Sequence, residues 1–501
     1  MKKHHLATLA IHLVIFGLCG VLLVWNLWGG SLLNSDDPIY ASIAREAHQS
    51  GEYLDLKYQG HLLFEKPPLF FWLVSASYSI FGVNDFAARL PDALASLALL
   101  VLVYLLAVQR RTQSEVDEGP RPPVFVGGLC AVGLLLASSQ YFLNSRRVMT
   151  DLPFWLTVFS FLALLGNERG KKQIALGALF LGLAVMLKGP AVVVPVGAAG
   201  VWLLLSGRLR RWRAWDWAAL LVPPTLVAGW WHLLQFFRYG TEFVGTYLGY
   251  HAVERLTSSL VTETKPWFYL ERLFDFEGPV LGILLLVGLV LAVLLAVRRR
   301  DSVDSLLALF AVLYLALILV MKTRLEHYVL PLLVIGAIYV GRGVQIVADR
   351  FRGHWKQWAL PIFLAALCLF SFMQNNRYHL GTSEYSHNTR ILSTLVRGHP
   401  GKLVAFNLYA PAAGWYADKP MQTWSTERKL CGHLQSIDML QRSAFVWCPP
   451  REPLRNRLHD ERPILLTRRS SWPELKELLG PHLLRRYTIR LEEQLLCLVP
   501  E

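Results

Sequence analysis

The chain has 501 residues, of which 54% are hydrophobic and only 17% are charged. Because soluble domains carry about a quarter charged residues, this composition excludes an ordinary soluble protein and indicates a membrane protein. The net charge of +14 does not indicate nucleic-acid binding here, since the basic residues lie in short loops between apolar runs and no basic motif with interleaved aromatic residues is present.

About eleven apolar runs, most of them near spanning length, follow one another along the chain. The first follows Met1-Lys2-Lys3-His4-His5 without a small-residue cleavage site, which predicts an uncleaved first helix. A tilted or re-entrant hairpin is one interpretation of the two short runs that flank Gly189-Pro190. The runs are 6–28, 84–108, 123–140, 152–166, 174–189, 191–206, 217–237, 278–297, 304–321, 328–346 and 359–374.

The charges and lengths of the loops between the runs predict which side of the membrane each loop faces. If the N-terminus is cytoplasmic and the sides alternate, every inside loop is short and basic, in agreement with the positive-inside rule. The outside loops mix acids with bases and are rich in Trp and Tyr. They are 29–83, 141–151, 238–277 and 322–327.

Residues 375–501 have a different character, because the apolar runs give way to short alternating segments. They predict a helix at 472–479, with Ser471 as its N-cap. We expect a transmembrane domain at 1–374 and a small α/β domain on the outer side at 375–501, where one pair among three cysteines could form a disulfide. The cysteines are Cys431, Cys448 and Cys497, and the predicted strands are 403–406, 444–447, 464–467 and 495–499.

The outer loops collect the charged residues that could perform chemistry. Asp36 and Asp37 open a predicted amphipathic helix over 40–49, and Glu65 and Lys66 precede two prolines. Lysine and arginine hold phosphate charge, and a carboxylate near them can act as a base or hold a divalent cation. The pattern therefore favours a lipid substrate that bears a phosphate.

Each feature also has a purely structural interpretation. Asp36 and Asp37 could serve only as a helix cap, and Glu65 with Lys66 could be a surface ion pair. Arginines at helix ends often snorkel to the interface. Lys188 fits such an explanation less well, because a charge at membrane depth usually faces an interior cavity. The joint occurrence on one face favours a functional site.

These residues resemble the motifs of one known family, the lipid-linked-sugar glycosyltransferases, which include the bacterial lipid A aminoarabinose transferase and relatives of the protein mannosyltransferases. The matching motifs occur in the same order as in the family, over roughly the first two-thirds of the chain. The segments that carry it are Asp36-Asp37-Pro38-Ile39-Tyr40-Ala41 with Arg45-Glu46, Phe64-Glu65-Lys66-Pro67-Pro68, Leu187-Lys188-Gly189-Pro190, Tyr250-His251 with Arg255, and Lys322 to Pro331.

The resemblance implies a mainly α polytopic fold of the glycosyltransferase C class with a periplasmic active site in the bacterial inner membrane. It implies a polyprenyl-phosphate sugar donor, transfer with inversion and no nucleotide cofactor. Asp36 and Asp37 would be catalytic, and Glu65 with His251 would hold a divalent cation. The implied substrate-binding residues are Tyr40, Lys66, Arg146, Asp151, Lys188, Arg255, Lys322 and Tyr328.

The acceptor stays open among lipid A, another envelope glycan and a protein hydroxyl, the last of which would make the chain a protein O-mannosyltransferase-like enzyme. A lipid or sugar transporter without catalysis is the alternative from another class. A transporter predicts charges near mid-span and inverted repeats, whereas the charges here cluster at one face. A ligand-sensing or assembly protein would leave the first-loop motifs unexplained.

Overall fold

A computed structural model describes residues 2–33, 35–108, 126–167, 170–254, 265, 267–298, 303–350, 356–375, 384–435 and 445–501. The chain divides into two compact units. The first unit comprises Met1–Trp25, Pro91–Arg146 and Thr150–Leu380, and the second comprises Asn26–Leu90, Arg147–Met149 and Gly381–Glu501. The expected division at residue 374 into a transmembrane and an outer domain stays a prediction.

The fold is mainly helical, and the expected polytopic membrane class is confirmed. Among the described residues, six helical stretches are long and apolar enough to cross a membrane, and five shorter apolar helices accompany them. The expected number of about eleven spans stays a prediction. The six stretches are Asp85–Val108, Lys171–Leu205, Ala214–Gly249, Phe268–Val297, Val303–Val320 and Glu326–Arg350.

The first unit consists of helices with short breaks. One break bends the chain at Gly189, whose φ is +52° and where a Cβ atom would overlap the hydroxyl of Tyr247, so that only glycine fits. The helical segments are Lys2–Val24, Asp85–Val108, Val126–Ala137, Ser139–Asn144, Asp151–Gly166, Lys171–Lys188, Gly189–Val192, Val193–Leu205, Arg208–Arg210, Ala214–Pro224, Thr225–Gly229, Trp230–Val244, Gly245–Glu254, Phe268–Arg298, Val303–Val320, Glu326–Val329, Leu330–Arg350 and Lys356–Asn375. The helix Asp85–Val108 begins in the second unit and continues into the first.

A buried carboxylate joins two helices of the first unit. Glu277 is 2% exposed and accepts hydrogen bonds from the Ser138 hydroxyl at 2.8 Å and from the backbone amides of Ser139 and Gln140 at 2.9 and 3.2 Å. The carboxylate thus accepts from the amides that the break after Ala137 leaves without helical partners. The contact holds the helix Phe268–Arg298 against that break.

The second unit joins the first loop to the C-terminal part of the chain. Its helices are Asp36–Ser50, Leu69–Phe81, Glu384–Leu395, Pro411–Ala417, Arg428–Gln435, Arg451–Glu461 and Trp472–Leu484, with a 3-10 turn at Arg469–Ser471. Its strands are β1 (Lys57–Tyr58), β2 (His61–Leu62), β3 (Leu403–Phe406), β4 (Met421–Trp424), β5 (Val446–Trp447), β6 (Ile464–Arg468), β7 (Tyr487–Glu492) and β8 (Leu495–Pro500).

The C-terminal strands form one mixed sheet in the order β5-β4-β3-β6-β8-β7. The first four are parallel to one another, and β8 is antiparallel to β6 and β7. Both helices and strands pack on a buried apolar core, as expected for the small α/β region. The core includes Val404, Phe406, Trp424, Leu454, Leu465, Leu475, Leu479 and Leu498.

Candidate functional site

The predicted amphipathic helix of the first loop, here called the first-loop helix, extends from Asp36 to Ser50. Two acids in its first turn interact favourably with the helix dipole, and Pro38 has the backbone angle that a first turn requires. The two acids have opposite environments, since Asp36 is exposed whereas Asp37 is only 1% exposed. A reacting group can therefore reach Asp36.

Asp37 anchors residues 147–148 to the start of the first-loop helix. One of its carboxylate oxygens accepts from the amide of Val148 at 2.9 Å, and the other accepts from Nη2 of Arg147 at 2.7 Å and from the Ser35 hydroxyl at 2.9 Å. Arg147 also donates to Ser35 at 2.6 Å. The buried charge is thus paired and fully hydrogen-bonded, as a buried carboxylate requires. Asp37 is therefore more than a helix cap.

A third acid of the first-loop helix, Glu46, holds the hairpin that precedes Lys66. Strands β1 and β2 are joined by Gln59 and Gly60, whose φ values of +52° and +81° suit a tight two-residue turn. The two oxygens of Glu46 accept from the amides of these residues at 2.7 and 3.1 Å. Lys66, four residues after β2, is 7% exposed, and Glu65 is half-buried.

Two aromatic residues also lie in this region of the second unit. Tyr40 is 7% exposed and packs edge-on against Phe71, with ring centroids 5.6 Å apart. Burial, together with the negative charges of Asp36 and Glu65, raises the pKa of Tyr409 well above its ordinary value. Tyr409, which follows β3, thus lies within the electrostatic reach of both first-loop carboxylates, although nothing in its local sequence indicates this.

The first unit holds a separate charged cluster. Asp151 opens one helix and Lys188 ends another, and the lysine Nζ lies 2.6 Å from a carboxylate oxygen of Asp151. Nε2 of His327 lies 3.8 Å from the same oxygen. The side chains of Lys188 and Asp151 are 14% and 3% exposed. The charge of Lys188 is therefore paired within the protein, as expected for a lysine that ends an apolar helix.

The remaining predicted residues are placed as follows. Arg146 is buried, with its guanidinium 5.5 Å from the Phe142 ring centroid. Lys322 is exposed and Tyr328 is half-buried. The backbone of His251 lies in the segment Gly245–Glu254, but its side chain and all of Arg255 lie outside the described residues.

The described residues do not supply a complete set of ligands for a divalent cation. No group of three or more His, Cys, Asp or Glu side chains is placed to hold a metal ion within the part of the chain that the structure describes. Cations such as Mg²⁺ and Zn²⁺ take four to six ligands. The assignment of Glu65 and His251 to a metal site stays a prediction, and we derive no step through a metal.

Comparison with known proteins agrees with the motifs. The family model for dolichyl-phosphate-mannose-protein mannosyltransferase matches residues 65–231. An uncharacterized protein of Aquifex aeolicus is 30% identical over half of this chain and 46% of its own length. An undecaprenyl phosphate-alpha-4-amino-4-deoxy-L-arabinose arabinosyl transferase of Pseudomonas fluorescens is 27% identical over 66% of this chain and 59% of its own length. The chain thus spans about half to three-fifths of these two relatives.

The fold agrees with a solved structure over nearly the whole chain. The crystal structure of ArnT from Cupriavidus metallidurans bound to undecaprenyl phosphate aligns with a TM-score of 0.72 over 97% of both chains, at 15% identity. At this identity the likeness concerns the fold alone. The resemblance that the sequence motifs indicate is thus confirmed: the chain is similar in sequence to an aminoarabinose transferase and to the protein mannosyltransferase family model, and it has the fold of the ArnT structure.

Proposed function

We propose that the chain is an integral membrane glycosyltransferase, which moves a sugar from a polyprenyl phosphate to an acceptor at the periplasmic face of a bacterial inner membrane. One observation carries this proposal: exposed Asp36 lies beside buried Asp37, which Arg147 clamps at the start of the first-loop helix. The aminoarabinose transferase relatives support an undecaprenyl-phosphate donor. Lipid A or another envelope glycan is the acceptor that we favour.

The proposed reaction is a single displacement. The acceptor oxygen attacks the anomeric carbon from the side opposite the phosphate, and the bond between that carbon and the phosphate oxygen breaks. The polyprenyl phosphate leaves with the electron pair, and the anomeric configuration inverts. A hydroxyl acceptor transfers its proton to the carboxylate of Asp36. A phosphate acceptor is already anionic near neutral pH, so that Asp36 then mainly orients it.

The neighbouring residues would prepare this step. Lys66 would stabilise the negative charge that develops on the leaving phosphate. Asp37 was predicted to be catalytic, and that stays a prediction, but its contacts with Arg147 and Val148 favour a positioning role.

Replacement of Asp36 tests the proposal. Asp36→Asn should lower transfer by a factor of about 10² to 10⁴, the usual contribution of a positioned acid or base. The thermal unfolding temperature should change little, because Asp36 is exposed and an exposed charge at a helix N-terminus contributes only about 0.3–1 kcal/mol. The assay follows radiolabel from a polyprenyl-phosphate sugar into an envelope lipid extract. Asp460→Asn, an exposed acid in the same unit, is the matched control. Full activity of Asp36→Asn would refute the assigned role.

The same assay separates the competing functions. The family match over residues 65–231 gives a protein O-mannosyltransferase-like activity specific support, and this activity would place the label on protein rather than on lipid. If the label stayed on the carrier with every donor, and with both lipid and protein acceptors, a transporter without catalysis would be favoured. Added chelator tests the predicted cation at Glu65 and His251, since loss of activity would support it.

A further inference from the structure

A cavity of about 420 Å³ lies within the second unit, and Asp36 is not among the described residues that line it. Its walls come from the first-loop helix, the start of the helix Asp85–Val108 and the C-terminal helices Glu384–Leu395 and Pro411–Ala417. A volume of this order fits a small ligand or headgroup. Arg45 belongs to the first-loop motif, but none of the residues that line the cavity is among the predicted catalytic, substrate-binding or metal-binding residues.

Three arginines and two acids give this cavity a positive balance. Arg45 pairs with Asp418 at 2.8 Å, and Arg397 lies 3.7 Å from the same acid. Arg390 lies 3.5 Å from Asp85. Five charged groups therefore leave one net positive charge, and the side chains of Arg390 and Arg397 are 39% and 65% exposed. Their guanidinium groups can reach a ligand.

Asp85, one of the two acids that line the cavity, already accepts hydrogen bonds from the protein. Asp85 accepts from the indole nitrogen of Trp415 at 2.8 Å and from the hydroxyl of Tyr416 at 2.9 Å, and this hydroxyl also accepts from the amide of Leu32 at 2.6 Å. The carboxylate is 8% exposed. Because its oxygens accept these hydrogen bonds, Asp85 supports the cavity wall. Arg390 also donates to the carbonyl of Gly30 through one guanidinium nitrogen, and its remaining donors are available for an anion.

Aromatic rings hold two of the arginines in place. Arg45 lies over Trp415 at 4.8 Å, and Arg390 lies over Tyr416 at 5.3 Å. A stacked guanidinium keeps its edge donors available for a bidentate phosphate contact. Arg390, Thr394 and Arg397 recur at spacings of four and three, which places them on one face of a helix and its following turn.

The cavity also lies at the end of a membrane-spanning segment. Asp85 is the first residue of the apolar helix Asp85–Val108. Trp28, which lines the cavity, is 58% exposed, and its ring lies 6.1 Å from that of Phe86. Tryptophan at the end of a span is typical of the headgroup level of a bilayer.

We propose that this cavity binds a phosphate-bearing lipid headgroup, with Arg390 and Arg397 as its phosphate ligands and Arg45 as its support. The headgroup can come from a phosphorylated acceptor such as lipid A, in which case the inference rests on the proposed function, or from an ordinary anionic phospholipid. Both sources present the same phosphate chemistry to the arginines.

Native mass spectrometry of the full chain, released from detergent with defined lipids, tests the proposal. The probes are lipid A bisphosphate, its dephosphorylated form, phosphatidylglycerol and phosphatidylcholine. The double variant R390Q/R397Q should weaken binding of the phosphate-bearing anionic lipids by about tenfold or more. R485Q/R486Q removes two exposed charges elsewhere in the same unit and should leave binding unchanged.

The outcomes distinguish the sources and the two proposals. Binding of lipid A bisphosphate alone, lost in R390Q/R397Q, supports an acceptor site, and equal loss of phosphatidylglycerol binding supports a phospholipid site. Unchanged binding in R390Q/R397Q, or the same loss in the control variant, overturns the proposal. Asp36→Asn should keep the binding, so that a chain that binds headgroups but transfers no sugar would refute only the proposed function.

Discussion

Asp37 and Arg147 form a buried charge pair whose side chains are 2% and 15% exposed. Removal of one partner leaves a buried charge without compensation, which costs about 3–5 kcal/mol in such pairs. We therefore expect Arg147→Met to lower the thermal unfolding temperature clearly in detergent. The double variant D37N/R147M should recover part of the loss, because no uncompensated charge remains.

Exposed Arg485→Met serves as the control for that experiment, since its side chain lies on the surface of the same unit. It should unfold at the temperature of the unchanged protein. If Arg147→Met unfolded at that temperature too, the contact would carry little free energy, and Asp37 would be available for a more direct part in catalysis.

Local sequence predicts the identity of the first-loop acids but not their partners. Two acids before Pro38 predict a helix start, and the structure has one there. The partner of Asp37 is 110 residues away, and that of Asp151 is 37 residues away. Contacts between residues so far apart in the sequence depend on how the helices pack, which no local sequence pattern specifies. Tyr409 was not predicted for the same reason, because it is far from Asp36 and Glu65 in the sequence.

At the scale of elements, Glu46 connects the first-loop helix to the β1–β2 hairpin and so to Lys66. Its carboxylate holds two turn amides at 2.7 and 3.1 Å, and burial raises its pKa, although the two amides oppose that rise. Glu46→Ala should release the turn. We expect kcat/KM for the donor to fall about tenfold or more, since hydrogen bonds to a charged group contribute about 1.5–3 kcal/mol each.

Hydrogen exchange provides the second measurement, because a purely catalytic effect would not change it. The amides of Gln59 and Gly60 should exchange faster in Glu46→Ala. Glu52→Ala is the matched control, since Glu52 makes an ion pair with Lys57 in which the two side chains are 54% and 36% exposed, and such pairs contribute little. Unchanged exchange and activity in Glu46→Ala would show that the turn holds without it.

The sheet shows which elements a sequence pattern can reveal. The buried apolar segments at β3, β6 and β8 were predicted, because each has a run of apolar residues. Strand β4 includes polar Gln422 and Thr423, and strand β7 alternates exposed charged and apolar residues at the edge of the sheet. Both lack the apolar run and were not predicted. Pairing with neighbours, rather than local composition, makes them strands.

At the scale of the whole molecule, the cysteines bear on which side of the membrane the C-terminal part faces. The structure pairs Cys431 with Cys448, whose Cα atoms are 6.0 Å apart, and leaves Cys497 buried and free. This resolves the choice among three cysteines that the sequence left open. Because disulfides persist outside the reducing cytoplasm, the pairing supports the proposed periplasmic location.

We predict that peptide mapping without reductant will find Cys431 linked to Cys448 in protein extracted from membranes. The link closes a segment of 17 residues, for which chain-entropy arguments give about 3 kcal/mol of stabilisation. C431S/C448S should therefore unfold at a lower temperature than the unchanged protein. After reduction of intact spheroplasts, a membrane-impermeant thiol reagent should label Cys431 and Cys448 from outside. If both were free thiols in untreated cells and reacted only after lysis, the C-terminal part would face the cytoplasm, and the proposed orientation of the chain would be inverted.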